Sequence, residues 1–446
     1  MKYLYHCLLY SVLLVGSGFW LAGCELMSSG DSDDAHLDET LIALVTREGQ
    51  RGLSNFILPE SDDFATIPHD PANPLTADKV ALGKLLFHET ALATEPRHEE
   101  GRGTYSCAAC HHAGAGFQAG RQQGISDGGS GWGVNGEGRT RHPAYEVSEM
   151  DVQAARSPSI LNSGYQQVMS WAGVLGANGP NEGTEAHWIR GTLLEVNHLG
   201  FDGLESQAIV GLQAHRMGDI KSSIVASHPT YTELWERVFP GEEVSVLRAG
   251  LAIAAFERTV LANKAPFQRW LKGDLEAMSA AEKRGAILFF DKANCESCHT
   301  GPPLNSVTFY ALGMPDMAGP NIFGEVPETL GRGWFLQDPN EFYKFKIPQL
   351  YNLKDSPFYG HGGTFKSIRE VVEYYNAGIP ARTLPEGRLE PRFKPLGLTR
   401  AEIDDLVAFL TESLRDPDLM RYVPESLPSG NCTPVNDPVA RIDLGC

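Results

Sequence analysis

Cys-Ala-Ala-Cys-His at residues 107–111 and Cys-Glu-Ser-Cys-His at residues 295–299 decide the fold of this chain. Two thiols at this spacing can bond to both vinyl groups of one haem, while the adjacent histidine binds the iron. With 8 Cys and 14 His in 446 residues, chance gives about 0.005 copies of such a motif. Zinc would need four ligands, and each motif offers three. We therefore predict two covalently bound haems c. The predicted haem-binding residues are Cys107, Cys110, His111, Cys295, Cys298 and His299.

The segments around the two motifs share one order of features, which indicates an ancient duplication. Thr76 caps a predicted helix before the first motif, and Ser279 with Glu282 forms a capping box before the second. An amphipathic helical pattern follows each motif, at residues 247–261 and 399–414. Such flanking helices enclose the haem in small cytochrome c domains. The predicted fold is mainly α, with two cytochrome c-like haem domains in tandem and long loops.

These landmarks also predict the domain boundaries. Gly- and Pro-rich loops at residues 114–138 and 313–339 lack a convincing run of alternating strands, and we expect them to wrap a cofactor. The predicted segments are a lipoprotein signal peptide at 1–23, a tether and N-terminal extension at 24–65, an N-terminal haem domain at 66–268, a C-terminal haem domain at 269–425, and a tail at 426–446.

The N-terminus is typical of an exported lipoprotein. Lys2 supplies a positive end, residues 8–21 are apolar, and Leu-Ala-Gly-Cys ending at Cys24 resembles a lipoprotein cleavage box. We expect a lipid anchor at Cys24 in the periplasm or at the cell surface, with Glu25 favouring the outer membrane. A simple N-terminal membrane helix is the alternative. The polar residues 28–39 are then predicted to form a tether.

Composition limits the partners. The chain is 42% hydrophobic and 21% charged, as in ordinary soluble globular proteins. A formal net charge of −19 without any run of Lys or Arg argues against a nucleic-acid partner. An acidic surface favours basic partners, or it serves solubility alone. Cys432 and Cys446 remain after the motifs and the signal, and in an exported chain they could form a disulfide, which sequence alone does not establish.

Beyond the haem motifs, the chain resembles the bacterial di-haem cytochrome c peroxidase and MauG family over about residues 75–414. The resemblance implies that hydrogen peroxide meets the N-terminal haem, while the C-terminal haem receives or stores electrons. The protein partner would be a cytochrome c or copper protein for a peroxidase, or a Tyr or Trp on a protein substrate for a MauG-like modifying oxidase. The segments that carry the resemblance are residues 157–162, 204–208, 298–302 and 361–376.

The same resemblance implies roles for two aromatic residues. Trp171 falls where the family places an aromatic residue between the haems, and an indole there can relay an electron. Tyr375 falls where the family supplies the sixth ligand of the C-terminal haem, with Tyr374 as the alternative if the register is off by one. A tyrosinate lowers the iron potential relative to Met and so favours storage of an oxidised state. A packed core aromatic is the competing interpretation at both positions.

Peroxide cleavage needs a group that moves a proton and a polar group that stabilises the departing oxygen. Gln207 matches the family's distal glutamine. The family's distal Glu is missing, because Ala-His-Arg-Met stands at residues 214–217. We expect His215 as the base and Arg216 as the charge stabiliser, and a plain helix surface is the alternative.

Two further departures from the family concern access and metal content. The loop at residues 124–132 lacks the mobile His that blocks the N-terminal haem in classical members, so this haem is expected to be permanently open, with His112 and His142 as nearby alternatives. Arg156 stands where a calcium-binding Asn is expected, which leaves an inter-haem calcium ion open.

A different class of function is a non-catalytic di-haem electron carrier or redox sensor. It would require both irons to be six-coordinate in every oxidation state. Tyr375 and the missing mobile His instead tilt the prediction slightly toward a MauG-like enzyme.

Overall fold

Twelve α-helices, joined by loops and short 3-10 turns, form the part of the chain that the computed structural model describes, residues 29–47, 52–319 and 327–446. The predicted export signal, with Cys7 and Cys24, lies outside these residues. No helix in the described ranges is long and apolar enough to cross a membrane. The mainly α prediction is confirmed.

The helices are α1 Ser29–Val45, α2 Ala77–His88, α3 Gly203–Ala214, α4 Pro229–Val238, α5 Val246–Arg258, α6 Pro266–Leu271, α7 Ala280–Phe290, α8 Pro327–Leu330, α9 Arg332–Leu336, α10 Ile368–Ala377, α11 Arg400–Ala408 and α12 Pro438–Leu444. Strands β1 Gly129–Ser130 and β2 Thr140–Arg141 pair antiparallel, as do β3 Phe309–Tyr310 and β4 Phe345–Lys346.

The predicted helix starts before both motifs are confirmed by their caps. The Thr76 side chain accepts a hydrogen bond from the backbone N–H of Lys79 at the start of α2. Ser279 and Glu282 form a reciprocal capping box at α7, and Thr399 and Glu402 form another at α11. Each cap satisfies backbone donors that have no partner within the helix.

Two helix pairs, α2 with α5 and α7 with α11, cross in the same way. A Cβ atom on Gly83 of α2 would lie 1.8 Å from the carbonyl oxygen of Ala252, and one on Gly285 of α7 would lie 2.0 Å from that of Asp405. Only glycine permits so close an approach of one backbone to another. The repeated crossing is the structural counterpart of the repeated sequence order.

The tether predicted at residues 28–39 is wrong for its described part. Residues 29–39 belong to α1, which packs on α7 with Leu41 and Val45 fully buried. Asp38 accepts hydrogen bonds from the buried Lys283 Nζ at 2.9 Å and Trp270 Nε1 at 2.8 Å. Because both donors lie more than 230 positions away in sequence, the polar stretch gave no local sign of this docking.

Candidate active site

Each CxxCH motif forms a 3-10 turn of its own. The turns span Cys107–Ala109 and Cys295–Ser297. The backbone N–H of each following histidine donates to the carbonyl oxygen of the first cysteine, at 3.1 Å in the first motif and 3.0 Å in the second. None of the four motif cysteines forms a disulfide, so all four are available to bind a haem, and burial raises the pKa of Cys107, Cys110 and Cys295 to about 12. The two sulfur atoms of each motif lie together on one tight turn.

The two motif histidines are half-buried and neutral. Burial lowers the pKa of His111 and of His299 to about 4, which keeps the imidazole in the form that binds iron. Nδ1 of His299 donates to the carbonyl oxygen of Leu304 at 2.9 Å, leaving Nε2 available for a metal. Nδ1 of His111 is buried without a hydrogen bond of good geometry among the described residues, although backbone groups of Phe117 and Pro158 partly oppose the lowering of its pKa.

A Pro-x-x-x-Asn segment accompanies each motif, at residues 158–162 and 348–352. Asn162 and Asn352 both have left-handed backbones, with φ of 58° and 56°. The N–H of Asn162 donates to the carbonyl of Val260, and that of Asn352 donates to Leu414, both at 2.9 Å. Each asparagine therefore ties the haem motif's neighbourhood to the end of the helix that follows it.

Of the predicted peroxide-side residues, Gln207 lies within α3, and His215 and Arg216 follow its last residue. Oε1 of Gln207 is buried without a hydrogen-bond partner in the described part of the chain. Nδ1 of His215 lies 2.8 Å from Oδ2 of Asp151. Burial alone would lower the pKa of His215, but the charge and hydrogen bond of Asp151 outweigh it and raise that pKa. His215 also lowers the pKa of His111, so the two rings share one electrostatic environment.

Arg216 completes this group from a strained position. Its backbone is left-handed, with φ of 57°. Its Nη1 atom lies 3.4 Å from a carboxylate oxygen of Asp127 and 3.4 Å from one of Asp151. A non-glycine residue in this conformation costs about 1 kcal/mol or more, which the two carboxylates help to offset.

The loop at residues 124–132 runs directly against the first motif. A Cβ atom on Gly124 would lie 2.6 Å from Sγ of Cys110. Of the two alternative histidines, His112 packs its ring edge-on against Trp132, with centroids 4.7 Å apart, and burial lowers its pKa to about 4. His142 accepts a hydrogen bond from the backbone N–H of Ala144. The closely packed loop itself supplies no imidazole.

Tyr375 on α10 lies in the environment of the second motif. Burial raises its pKa, and the thiols of Cys295 and Cys298 raise it further. Its hydroxyl has no hydrogen-bond partner among the described residues, whereas the hydroxyl of Tyr374 donates to the carbonyl oxygen of Leu312 at 2.7 Å. Of the two neighbouring tyrosines, Tyr375 is thus the one with an unused oxygen.

Trp171 bridges segments from both halves of the chain. Its Nε1 donates to the carbonyl oxygen of Arg156 at 2.7 Å, and its own carbonyl accepts from the N–H of Lys346 at 2.8 Å. Its ring lies 6.3 Å, centroid to centroid, from that of His361, which stacks on Phe345. The role of Trp171 as an inter-haem relay stays a prediction.

The guanidinium of Arg156 is buried among carbonyl and hydroxyl oxygens, and no carboxylate pairs with it among the described residues. Nη1 donates to the carbonyl oxygen of Arg121 at 2.8 Å, and Nη2 donates to that of Ala119 at 2.9 Å and to Oγ of Ser356 at 2.6 Å. In the described ranges, no group of three or more His, Cys, Asp or Glu side chains could hold a metal ion. The positively charged guanidinium of Arg156 therefore lies at the position where the family would place a calcium-binding Asn.

Comparison with known proteins decides the family. A family model described as di-haem cytochrome c peroxidase matches residues 77–276. The cytochrome-c peroxidase IdrP1 of Denitromonas iodatirespirans is 31% identical over 396 residues, which cover 83% of this chain and 90% of that protein. The chain belongs to the di-haem cytochrome c peroxidase and MauG family.

Two further proteins are similar to this di-haem peroxidase over most of its length. The methylamine utilization protein MauG of Methylorubrum extorquens is 27% identical over 415 residues, covering 92% of this chain and 94% of MauG. The crystal structure of a MauG-like protein associated with microbial copper homeostasis is 24% identical, with a TM-score of 0.55, and covers 82% of this chain and 97% of that one. The fold is shared, and the family supports an enzyme rather than an electron carrier or redox sensor.

Membership of the di-haem peroxidase family implies two covalently bound c-type haems, and the residues present fit them. Each CxxCH turn offers two cysteines outside any disulfide and one neutral imidazole, the donor set that haem attachment needs. Oε1 of Gln207 is buried without a hydrogen-bond partner among the described residues, and Nη1 of Arg216 has only carboxylate oxygens 3.4 Å away. A buried polar atom without a partner is rare in folded proteins, so Gln207 is free to contact a polar ligand.

Sequence reasoning missed two features of this di-haem peroxidase. The second Pro-x-x-x-Asn copy is visible in the sequence, since residues 348–352 repeat the pattern of residues 158–162. Lys346 gave no comparable signal. It is buried, its Nζ donates to Gln166 and to the carbonyl of Val168, and burial lowers its pKa to about 7. The assigned catalytic roles of Gln207, His215, Arg216, Trp171 and Tyr375 stay predictions.

Proposed function

We propose that this di-haem peroxidase is a MauG-like oxidase that uses hydrogen peroxide to oxidise a Tyr or Trp side chain on a partner protein. The observation that carries the proposal is the unused hydroxyl of Tyr375 beside Cys295 and Cys298. An oxygen ligand on the C-terminal haem favours the oxidised iron, whereas the thioether of Met favours the reduced iron. An enzyme that must hold oxidising equivalents until a protein substrate docks benefits from the first arrangement.

On the N-terminal side, the residues of the chain manage protons and charge. A c-type haem held by Cys107, Cys110 and His111 would supply the redox chemistry that reduces peroxide. Asp151 orients His215 through the 2.8 Å contact to Nδ1, so that the opposite ring nitrogen is free to accept a proton from peroxide. Gln207 and Arg216 offer donors for the departing oxygen.

Replacing Tyr375 tests the proposal. In Tyr375→Met we expect the spectrum of the C-terminal haem to change and its midpoint potential to rise. We also expect the spectral change that follows peroxide addition without a donor to decay at least about tenfold faster than in the wild type. Spectroelectrochemistry and stopped-flow absorption measure the two quantities.

Tyr374→Phe is the matched control, because it alters the adjacent ring whose hydroxyl already binds the carbonyl of Leu312. The control should leave the spectrum of the C-terminal haem unchanged. An unchanged spectrum in Tyr375→Met would exclude Tyr375 as the ligand, and rapid decay in the wild type would argue against the MauG-like function.

A second candidate function is a peroxidase that takes electrons from a small cytochrome c or copper protein. The relative with 31% identity, a cytochrome-c peroxidase, favours it. Steady-state turnover with peroxide and a reduced cytochrome c separates the two candidates. Fast turnover supports the peroxidase, and modification of a protein substrate without such turnover supports the MauG-like oxidase.

We also propose that Cys24 carries a lipid anchor that holds the enzyme to a membrane facing the periplasm or the cell surface, with the outer membrane favoured. The Leu-Ala-Gly-Cys sequence that ends at Cys24 supports this proposal. Mass spectrometry of the mature N-terminus should find a lipidated cysteine. Cys24→Ser should release the enzyme from the membrane fraction, and an unmodified Cys24 in wild-type protein would refute the anchor.

A further inference from the structure

The tail, defined as residues 432–446, lies beside the segment that leads into the first haem motif. Val435 forms an antiparallel bridge with Tyr105, and both side chains are fully buried. Oγ of Ser106 donates to the carbonyl oxygen of Pro434 at 2.9 Å, and the N–H of Asn436 donates to that of Thr104 at 3.0 Å. The contact reaches the residue immediately before Cys107.

Asp437 extends the tail contact to the Gly124 loop, defined as residues 124–139. Its Oδ1 atom accepts hydrogen bonds from the N–H of Gly131 at 2.9 Å and from Oγ of Ser130 at 3.1 Å, while Oδ2 lies 3.1 Å from Nη1 of Arg139. The side chains of Asp437 and Arg139 are 2% and 1% exposed. Removing one member of such a buried ion pair is strongly destabilising, because the other charge stays buried without a partner.

The rest of the tail adds a second attachment. Oδ2 of Asp443 accepts hydrogen bonds from the N–H groups of Trp132 at 2.8 Å and Gly133 at 2.9 Å. Cys432 and Cys446 form a disulfide that closes the segment containing α12. The disulfide holds Asp437 and Asp443 in one loop of the tail, which limits the freedom of either carboxylate to leave.

From Arg139 the contacts continue to the peroxide side. Nε of Arg139 donates to the carbonyl oxygen of Ile125 at 2.8 Å, and Nη2 donates to that of Ser126 at 2.9 Å. Oγ of Ser126 lies 3.4 Å from Nδ1 of His215, and the N–H of Ser126 donates to the carbonyl of Asp151 at 3.1 Å. The tail thus reaches the His215–Asp151 pair through one buried arginine.

We propose that the tail is a strap that fixes the Gly124 loop against the first haem motif, with Asp437 as a positioning residue for the His215–Asp151 pair. The consequence for peroxide rests on the proposed function of the N-terminal haem site. The strap itself does not, because it follows from the contacts of the tail with the Gly124 loop.

Hydrogen exchange of the di-haem holoenzyme tests the strap directly. We compare Asp437→Asn and the double variant Cys432→Ser/Cys446→Ser with the wild type. The amides of Gly131, Trp132 and Gly133 should exchange at least about tenfold faster in both variants, a change that corresponds to about 1.4 kcal/mol of local opening. Asp443→Asn is a milder variant at an exposed carboxylate, for use if Asp437→Asn fails to accumulate.

The second measurement is the reaction of the resting ferric enzyme with peroxide, together with its ferric spectrum. In Asp437→Asn the N-terminal haem spectrum should change and the peroxide rate should fall at least about tenfold, because His215 loses its alignment. Faster exchange with no peroxide reaction even in the wild type would leave the strap standing and refute the proposed function.

Asp418→Asn is the matched control, since this carboxylate pairs with Lys264 at the surface. It should change neither exchange nor peroxide rate. Unchanged exchange at the Gly124 loop in every tail variant would overturn the strap. So would exchange that accelerates equally in α2 and α5, because that result would indicate general destabilisation.

Discussion

The carboxylate of Asp151 favours the protonated form of His215, and this predicts how the peroxide rate depends on pH. Burial favours the neutral ring, but Asp151 raises the pKa of His215 above its ordinary value of 6.5. A histidine that accepts a proton must be neutral, so the peroxide rate should rise with pH through an apparent pKa above 6.5.

Replacing Asp151 should shift that profile. In Asp151→Asn the negative charge is gone and burial is unopposed, so the pKa of His215 falls and the midpoint of the peroxide rate should move to lower pH. Stopped-flow rates between pH 5 and 9 measure it, with His142→Gln as a control that should not move the midpoint. If the pH profile of the peroxide rate is the same in Asp151→Asn as in the wild type, His215 does not accept the proton.

The contacts of Arg156 predict that the enzyme does not need calcium. Because its guanidinium already donates to the oxygens of Arg121, Ala119 and Ser356, removal of calcium with EGTA should leave the peroxide rate and the melting temperature unchanged. Arg156→Met should lower the free energy of unfolding by about 3 kcal/mol, since buried acceptors lose a charged donor. The exposed Arg237→Met should cost less than about 0.5 kcal/mol. Loss of activity in EGTA would contradict the prediction.

The residues that could be predicted are those whose role follows from local spacing. The CxxCH motifs specify their own turn. The role of Tyr375 as a ligand came only from its place in a family segment, and it stays a prediction. Lys346 could not be found in this way, because its burial depends on carbonyl and amide oxygens from residues 166 and 168, which lie about 180 positions earlier in the chain.

At the scale of elements, the glycine crossings predict an unusual effect of alanine. Alanine normally stabilises a helix relative to glycine by about 0.5–1 kcal/mol. In Gly83→Ala or Gly285→Ala the new Cβ would collide with a backbone carbonyl of the partner helix, so the free energy of unfolding should fall by at least about 3 kcal/mol.

Gly211→Ala on α3 is the matched control, because its Cβ would meet only Nε2 of Gln207 at 3.8 Å. This variant should be neutral or slightly stabilised. Urea unfolding of the holoenzymes followed by circular dichroism measures all three variants. Equal stability of Gly83→Ala and Gly211→Ala would show that α2 and α5 do not cross as described.

Helix starts were predictable because a cap is a local event of three or four residues, as at Ser279 and Glu282. The same local reasoning failed for α1. Its polar residues suggested a tether, yet Asp38 is one of the buried polar groups that dock this helix on α6 and α7. A buried ion pair and an exposed carboxylate are indistinguishable until the partner is known.

At the scale of the whole molecule, the net charge of −19 predicts the behaviour toward protein partners. Peroxide-driven oxidation of a basic cytochrome c should slow roughly tenfold between 10 and 200 mM salt, because attraction between opposite charges is screened. An acidic copper protein should show no such slowing. Steady-state rates over a salt series measure both, and salt-independent oxidation of the basic donor would contradict steering by the acidic surface.

The strap also makes a haem motif depend on residues far away in sequence. Pro434 lies 328 positions after Ser106, yet it contacts the residue next to Cys107. A protein truncated before residue 432 would lose the carboxylates of Asp437 and Asp443 that bind the Gly124 loop. Such a truncation is therefore expected to loosen the surroundings of Cys110 without changing any residue near it in sequence.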